Sequence, residues 1–274
     1  MCASATIEAF KQDFNINTDI SDINFRKFNV EPYDALPQNH QFGEKKCLLY
    51  QLEFKVFNLD VSLRVLAFKY EKHAEVLKLE IKICNDLLSK EIAACKNFLQ
   101  RRRNLNLTFE VIIKYARLFE TRRLICLTVF QKRRNVATLS EDVGVIVKCC
   151  NDDFSVKFLE LNWSIQWTVD TYEVSDFIEF YFNYPVLTKE CAANVKKKLE
   201  LLVEPSVDFH PKLKLWKSVM NDLYGYIPED QNSTVLTEST DVLEISDSDS
   251  DVSVVELESN VCNQANSDEI MVID

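Results

Sequence analysis

The strongest constraint on this chain is a change of hydrophobic period that occurs twice in the same order. From Leu48 onward, Leu52, Phe54 and Val56 alternate with Glu53 and Lys55, and Val61, Leu63 and Val65 follow. Leu77, Leu79, Ile81 and Ile83 then alternate with Lys78, Glu80 and Lys82. Successive strand side chains point to opposite faces, so the pattern predicts half-buried antiparallel strands. Asn58–Asp60 and Tyr70–Glu75 read as meander connections. The spacing then becomes helical from Leu87 to Arg103 and from Leu107 to Arg134. Val111, Ile112, Tyr115, Leu118, Phe119, Ile125, Cys126 and Val129 share one stripe, with Arg117, Arg122 and Arg123 expected off it. Leu124–Phe130 is rich enough in β-branched and aromatic residues to admit a strand as a second reading.

The same order returns downstream. Val143–Cys149 is a strand candidate. Leu159, Leu161, Trp163, Ile165, Trp167 and Val169 alternate with Glu160, Asn162, Ser164, Gln166, Thr168 and Asp170, which puts both tryptophans on one buried face. Val174–Tyr184 is a third strand, and helices are predicted over Lys189–Leu202 and Leu213–Tyr224, with Pro205 and Pro211 between them. Strands followed by helices predict an α+β architecture of antiparallel meander sheets with helices on one face of each. The chain divides on this pattern into an arm (1–45) with a short helix over Ile7–Phe14, a first domain (46–135), a second domain (136–226) and a tail (227–274).

Composition removes several classes of function. Only three glycines occur, Gly43, Gly144 and Gly225, and no GxGxxG, GxxxxGK[ST] or GxSxG is present. Phosphate-cradling loops and nucleophile elbows need glycine for close backbone approach, so the familiar nucleotide-binding and hydrolase folds are excluded. The histidines His40, His73 and His210 are widely spaced, and no catalytic dyad is expected. Nine cysteines, an odd number without CxxC or Cys/His ligand spacing and mostly inside apolar runs such as Ile81–Cys84, read as free buried thiols in a reducing compartment, with no metal or other cofactor. The N-terminus lacks a basic segment followed by an apolar one, and no apolar run reaches the roughly 18 residues of a membrane span. No membrane partner is expected, and the compartment is read as cytosolic or nuclear.

Charge is divided unevenly. Of 43 acidic residues, thirteen fall in residues 227–274, which hold no Lys or Arg; residues 1–226 carry 32 basic and 30 acidic groups, a net of +2. A segment so acidic cannot bury a core and is expected to be disordered. It nevertheless keeps Val242-Leu243-Glu244-Ile245, followed by Ser246-Asp247-Ser248-Asp249-Ser250-Asp251, and Ile270-Met271-Val272-Ile273 beside Asp268, Glu269 and Asp274. Aliphatic tetrads flanked by acid suit strand addition to a partner's sheet edge, with the acids meeting a basic rim. Both resemble the SUMO-interacting motif, and Val252, Val254, Val255 and Leu257 form a weaker third copy. Two linked sites imply an avidity gain on a SUMO chain. Ser246, Ser248 and Ser250 each precede Asp; phosphorylation would add roughly −1.5 to −2 charges per site and strengthen the rim contact.

The opposite charge concentrates in Arg101-Arg102-Arg103, Arg122-Arg123 and Lys132-Arg133-Arg134. A phosphate-binding face needs such groups on one surface. Helical periodicity aligns them only loosely, and no aromatic residues interleave them for base stacking. Solvated helix faces or docking of an acidic segment are therefore expected ahead of nucleic-acid binding.

Three stretches carry a family resemblance: Tyr50–Val56, Leu77–Ile83 leading into the helical region Leu87–Arg134, and Phe158–Trp167. Over residues 46–226 the chain resembles the centromere protein P family of kinetochore subunits, built from tandem RWD domains, although residues 1–45 show no coiled coil of the kind that family carries. The resemblance implies two RWD-like domains without a catalytic cysteine, a second RWD-containing subunit as partner, and a nuclear complex on centromeric chromatin. The expectation from sequence is a non-enzymatic nuclear adaptor. Its tail binds SUMO or SUMOylated proteins and its body binds another chromatin-complex subunit. SUMO-dependent DNA repair or silencing, and nucleic-acid binding through Arg101–Arg134, are the alternatives.

Overall fold

A computed structural model of the protein describes residues 3–33, 46–71, 73–140, 143–183, 187–202 and 209–224. The chain divides into two units, Met1–Ile227 and Pro228–Asp274, and every described residue belongs to the first. That unit is α+β, with two four-stranded antiparallel sheets in simple meander order. The first sheet comprises β1 (Ile23–Pro32), β2 (Lys46–Val56), β3 (Leu59–Lys69) and β4 (Ala74–Ile83), preceded by α1 (Ala3–Asp13). Helices α2 (Asp86–Glu91), α3 (Ala93–Arg102) and α4 (Leu105–Ile125) follow, and α4 runs on as a π-helical turn, Cys126–Phe130. The second sheet comprises β5 (Val136–Ser140), β6 (Val145–Cys150), β7 (Lys157–Thr168) and β8 (Glu173–Phe182), followed by α5 (Lys189–Leu202) and α6 (Phe209–Tyr224).

Alternation in the sequence becomes alternation of faces. Tyr50, Leu52, Phe54 and Val56 of β2 and Val61, Leu63, Val65 and Ala67 of β3 are all buried. On β7, Leu159, Leu161, Trp163 and Ile165 are buried and Trp167 is half-buried. The strand serves two cores. Leu159, Leu161 and Trp163 pack in the second, whereas Ile165 belongs to the first. Helix α4 does the same, with Phe109, Ile112 and Tyr115 in the first core and Ile125 in the second. A helix of 21 residues is about 31 Å long, which is enough to run beneath both sheets.

Residues 3–33 are part of the first sheet unit rather than an arm laid on it. Strand β1 pairs with β2 throughout, from Ile23 opposite Val56 to Pro32 opposite Leu48. A bulge between Phe25 and Lys27 shifts the pairing and breaks the alternation of Ile23, Phe25, Phe28 and Val30, which hides the strand in the sequence. Helix α1 buries Phe10 against Tyr50, with ring centroids 5.6 Å apart, and Lys69 holds Asp13 at 2.5 Å. Between α1 and β1, Asn106 of α4 accepts the backbone N–H groups of Asn17 and Thr18 at 2.9 and 3.1 Å and donates to the Asn15 carbonyl. The first sheet therefore begins ahead of residue 46.

Other departures are local. The segment expected as one helix over Leu87–Arg103 breaks at Ile92 (φ −92°, ψ 6°), which is buried and separates α2 from α3. Asn85 and Asn104 cap α2 and α4, accepting from the N–H groups of Leu88 and Leu107. Leu124–Phe130 is helical rather than a strand. The first hairpin turns at Phe57 and Asn58, since Val56 already faces Leu59. The third connection of the second sheet is Val169–Tyr172, and the short β5 has no periodic signature of its own. Pro211 lies inside the first turn of α6, where its missing N–H costs little.

Gly144 shows where glycine is required. Its φ is +88°, and a Cβ there would lie 2.3 Å from the Trp163 carbonyl oxygen. Gly144→Ala should cost about 2–4 kcal/mol from strain and overlap. The check is a lower urea midpoint at unchanged m-value.

Candidate functional site

Four charged side chains, Glu91, Arg122, Asp176 and Lys212, form one chain of contacts centred on β7. Glu91, at the end of α2, receives both terminal nitrogens of Arg122 from α4 at 2.7 Å. Its Oε1 also accepts the Ile165 backbone N–H at 2.8 Å, and its Oε2 accepts the Tyr115 hydroxyl at 2.8 Å. The side chains of Arg122 and Glu91 are 3% and 1% exposed. Arg122 then donates to the Trp163 carbonyl at 3.2 Å. On its far side, the Trp163 indole N–H donates to Asp176 at 3.0 Å, and Lys212 of α6 reaches the other Asp176 oxygen at 2.6 Å. Trp163 and Trp216 stack with centroids 5.2 Å apart, which closes the second core over this pair.

Burial opposes the charge on Arg122, but the hydrogen bonds and negative charge of Glu91 outweigh it and hold the guanidinium above its ordinary pKa. Burial, reinforced by the Glu91 charge, pushes the Tyr115 phenol well above its ordinary range, so it remains a donor. Glu91 accepts four hydrogen bonds, the full capacity of a carboxylate. With no acceptor position left for a substrate, its role is to clamp α2, α4 and β7. Removing one partner of a buried pair strands the other. Glu91→Ala should therefore cost about 3–5 kcal/mol, whereas Glu91→Ala with Arg122→Met should lose less than the summed single variants, with a coupling of about 1–3 kcal/mol. Urea denaturation of the four species checks this.

The basic residues singled out in the sequence do not share a face. Arg122, expected off the apolar stripe, is buried on it, because it lies seven residues after Tyr115 and so returns to the same side of α4. Arg123 makes two 2.8 Å bonds to Glu120, which also accepts from Asn58. Arg133 is 8% exposed, bonds Asn221 at 2.9 Å and lies over the Tyr224 ring. Lys132 and Arg134 are exposed. Arg101, Arg102 and Arg103, at the exposed end of α3, form no ion pair among the described residues.

That arginine run has aromatic neighbours drawn from elsewhere in the sequence. Phe98 of α3 lies 5.5 Å from Trp167 and 5.4 Å from Tyr172, between ring centroids. Trp167 and Tyr172 stack at 6.1 Å. Arg102 donates to the Tyr172 hydroxyl at 3.0 Å while its guanidinium sits 5.5 Å from the Phe98 centroid. Aromatic interleaving is invisible along the chain because Tyr172 lies 70 residues downstream of Arg102, on the β7–β8 turn.

A shallow recess on the outer face of the first sheet is lined by Tyr33, Leu49, Arg64, Leu66, Lys78 and Glu80. Its carboxylate is taken by Lys78 at 2.6 Å and Arg64 at 3.4 Å. No group of three or more His, Cys, Asp or Glu side chains able to hold a metal occurs among the described residues. No described helix is long and apolar enough to cross a membrane. His73 stacks on Tyr70 and His210 lies edge-on to Phe209, both exposed and on different elements, while His40 falls outside the described residues.

All seven described cysteines are free, and Cys84, just past β4, is exposed rather than within the core. Burial pushes the thiols of Cys95 and Cys149 up to about 12 and that of Cys126 up to about 11. Their contribution to stability is complete below the ordinary thiol range and is lost as pH rises through the folded-state values. At pH 8, iodoacetamide should label Cys84 within minutes but reach Cys95, Cys126 and Cys149 only on unfolding, as peptide mass spectrometry would show.

The tail candidates Val242, Leu243, Glu244, Ile245, Val252, Val254, Val255, Leu257, Ile270, Met271, Val272 and Ile273 lie outside the described residues, as do Ser246, Ser248 and Ser250. Compared with known proteins, the chain matches no family model and no curated protein.

Proposed function

We propose that this protein is a non-enzymatic nuclear adaptor whose body docks to a chromatin-complex subunit and whose tail recruits SUMO or SUMOylated partners. The carrying observation is the pair of aliphatic tetrads, Val242–Ile245 and Ile270–Ile273, in a tail with thirteen acidic residues and no basic one. A segment of this acidic composition cannot build a core for such tetrads to fill, whereas a strand added to a partner's sheet uses alternate aliphatic side chains and an acidic rim. The body supports the reading by its repeated plan of a four-stranded meander followed by helices, which is the plan of tandem RWD domains. Its deepest polar groups, Glu91, Arg122, Asp176 and Lys212, are spent on joining its parts, as suits a scaffold.

Isotope-labelled full chain titrated with SUMO should show shifts confined to Val242–Ile245 and Ile270–Ile273. Replacing Val242, Leu243 and Ile245 together with alanine should abolish the shifts at the first motif while leaving the second. Absence of shifts at millimolar SUMO would remove the tail function. Serine-to-aspartate changes at Ser246, Ser248 and Ser250 should tighten binding about two- to fivefold if the acidic rim contributes.

A further inference from the structure

We propose a second binding function, distinct from the adaptor reading: the surface made by the arginine run that ends α3 and by Tyr172 binds single-stranded nucleic acid, stacking a base on Tyr172 while Arg101 and Arg103 hold flanking phosphates. Three consecutive guanidinium groups end α3 without a carboxylate partner among the described residues. Asp170 and Glu173, exposed on either side of Tyr172, pair with none of them. Positive charge at this edge is thus left for an external anion. The aromatic element is prepared as well. Trp167 and Phe98 back the Tyr172 ring, and Arg102 fixes its hydroxyl, so the ring is held in place while 37% of the residue remains exposed.

Two backbone observations show that these side chains occupy costly positions. Tyr172 has φ 57° and Arg103 has φ 56°, both left-handed conformations in which glycine or asparagine is the low-strain residue. A bulky ring and a guanidinium are kept there, and Arg102, next to Arg103 in the chain, joins α3 to the β7–β8 turn through the Tyr172 hydroxyl. Arginine beside a rigid aromatic platform is the combination that takes a phosphate and an unstacked base together. A duplex presents no free base face to such a ring, which selects single strands. An acidic peptide would satisfy the arginines but leave the braced ring without a role.

The test is fluorescence anisotropy of a labelled oligo(dT) of about 12 nucleotides, titrated with the full chain at low salt. Saturable binding is expected, with affinity falling as salt rises at a log–log slope of about −1.4 for two phosphate contacts on a single strand. Arg101→Glu with Arg103→Glu should weaken binding about a hundredfold. Tyr172→Asn removes the ring while easing the left-handed backbone; it should weaken binding about tenfold and leave the thermal midpoint unchanged or higher. Tyr172→Trp should retain binding. Equal affinity of Tyr172→Asn and the unaltered chain would overturn the proposal, as would equal affinity for a duplex of the same length. Binding of a labelled poly-glutamate peptide without binding of oligo(dT) would also overturn it and mark an acidic-protein docking surface. These readouts leave SUMO binding by the tail untouched, so the two functions stand or fall separately.

Discussion

The body is organised around one carboxylate. Glu91 ends α2, at the exit from the first sheet, yet its four acceptor positions are filled by Arg122, Tyr115 and the backbone of Ile165 on β7. Burying a charge is expensive unless every lone pair is satisfied, so the pair tolerates only one arrangement of α2, α4 and β7. Apolar contacts alone would let the sheets slide over the long helix that serves both cores. The charged clamp fixes where they stop, and Asp176 with Lys212 repeats the device on the far side of Trp163.

This clamp explains why the two meanders are not independent beads. Ile165 lies on a strand of the second sheet but packs into the first core, and α4 contributes to both. The N-terminal segment is drawn in by the same economy of polar groups. Asn106, at the start of α4, satisfies the backbone between α1 and β1, so that Phe10 can reach Tyr50 and β1 can extend the first sheet. Hydrophobic burial supplies most of the driving force here, and the hydrogen bonds choose the geometry.

Legibility in the sequence followed periodicity. The strands β2, β3 and β7, the Leu77–Ile83 part of β4 and helix α5 stand out because each keeps one period, whereas the start of β4 at Ala74 was hidden by the register shift opposite Leu66 and Ala67. β1 was hidden by its bulge, β5 by its five-residue length, and the break at Ile92 by apolar residues on both sides. Arg122 is instructive. Its spacing of seven from Tyr115 was visible, but a charged residue on a core stripe makes sense only once Glu91 is known to await it. Nothing near Glu91 announces that role, since its partners are 24, 31 and 74 residues away.

The sequence by itself determined the α+β class, the order of sheets and helices, and the separation of a near-neutral body from an acidic tail bearing two aliphatic tetrads. These follow from side-chain period and charge density, which are local properties of the chain. Only the tertiary structure decided which arginines are buried struts and which are free. It also set Phe98, Trp167 and Tyr172 together, with Arg102 against Phe98 and Tyr172. Partner choice in a folded core depends on which distant residues meet, and meeting is settled by packing rather than by spacing along the chain.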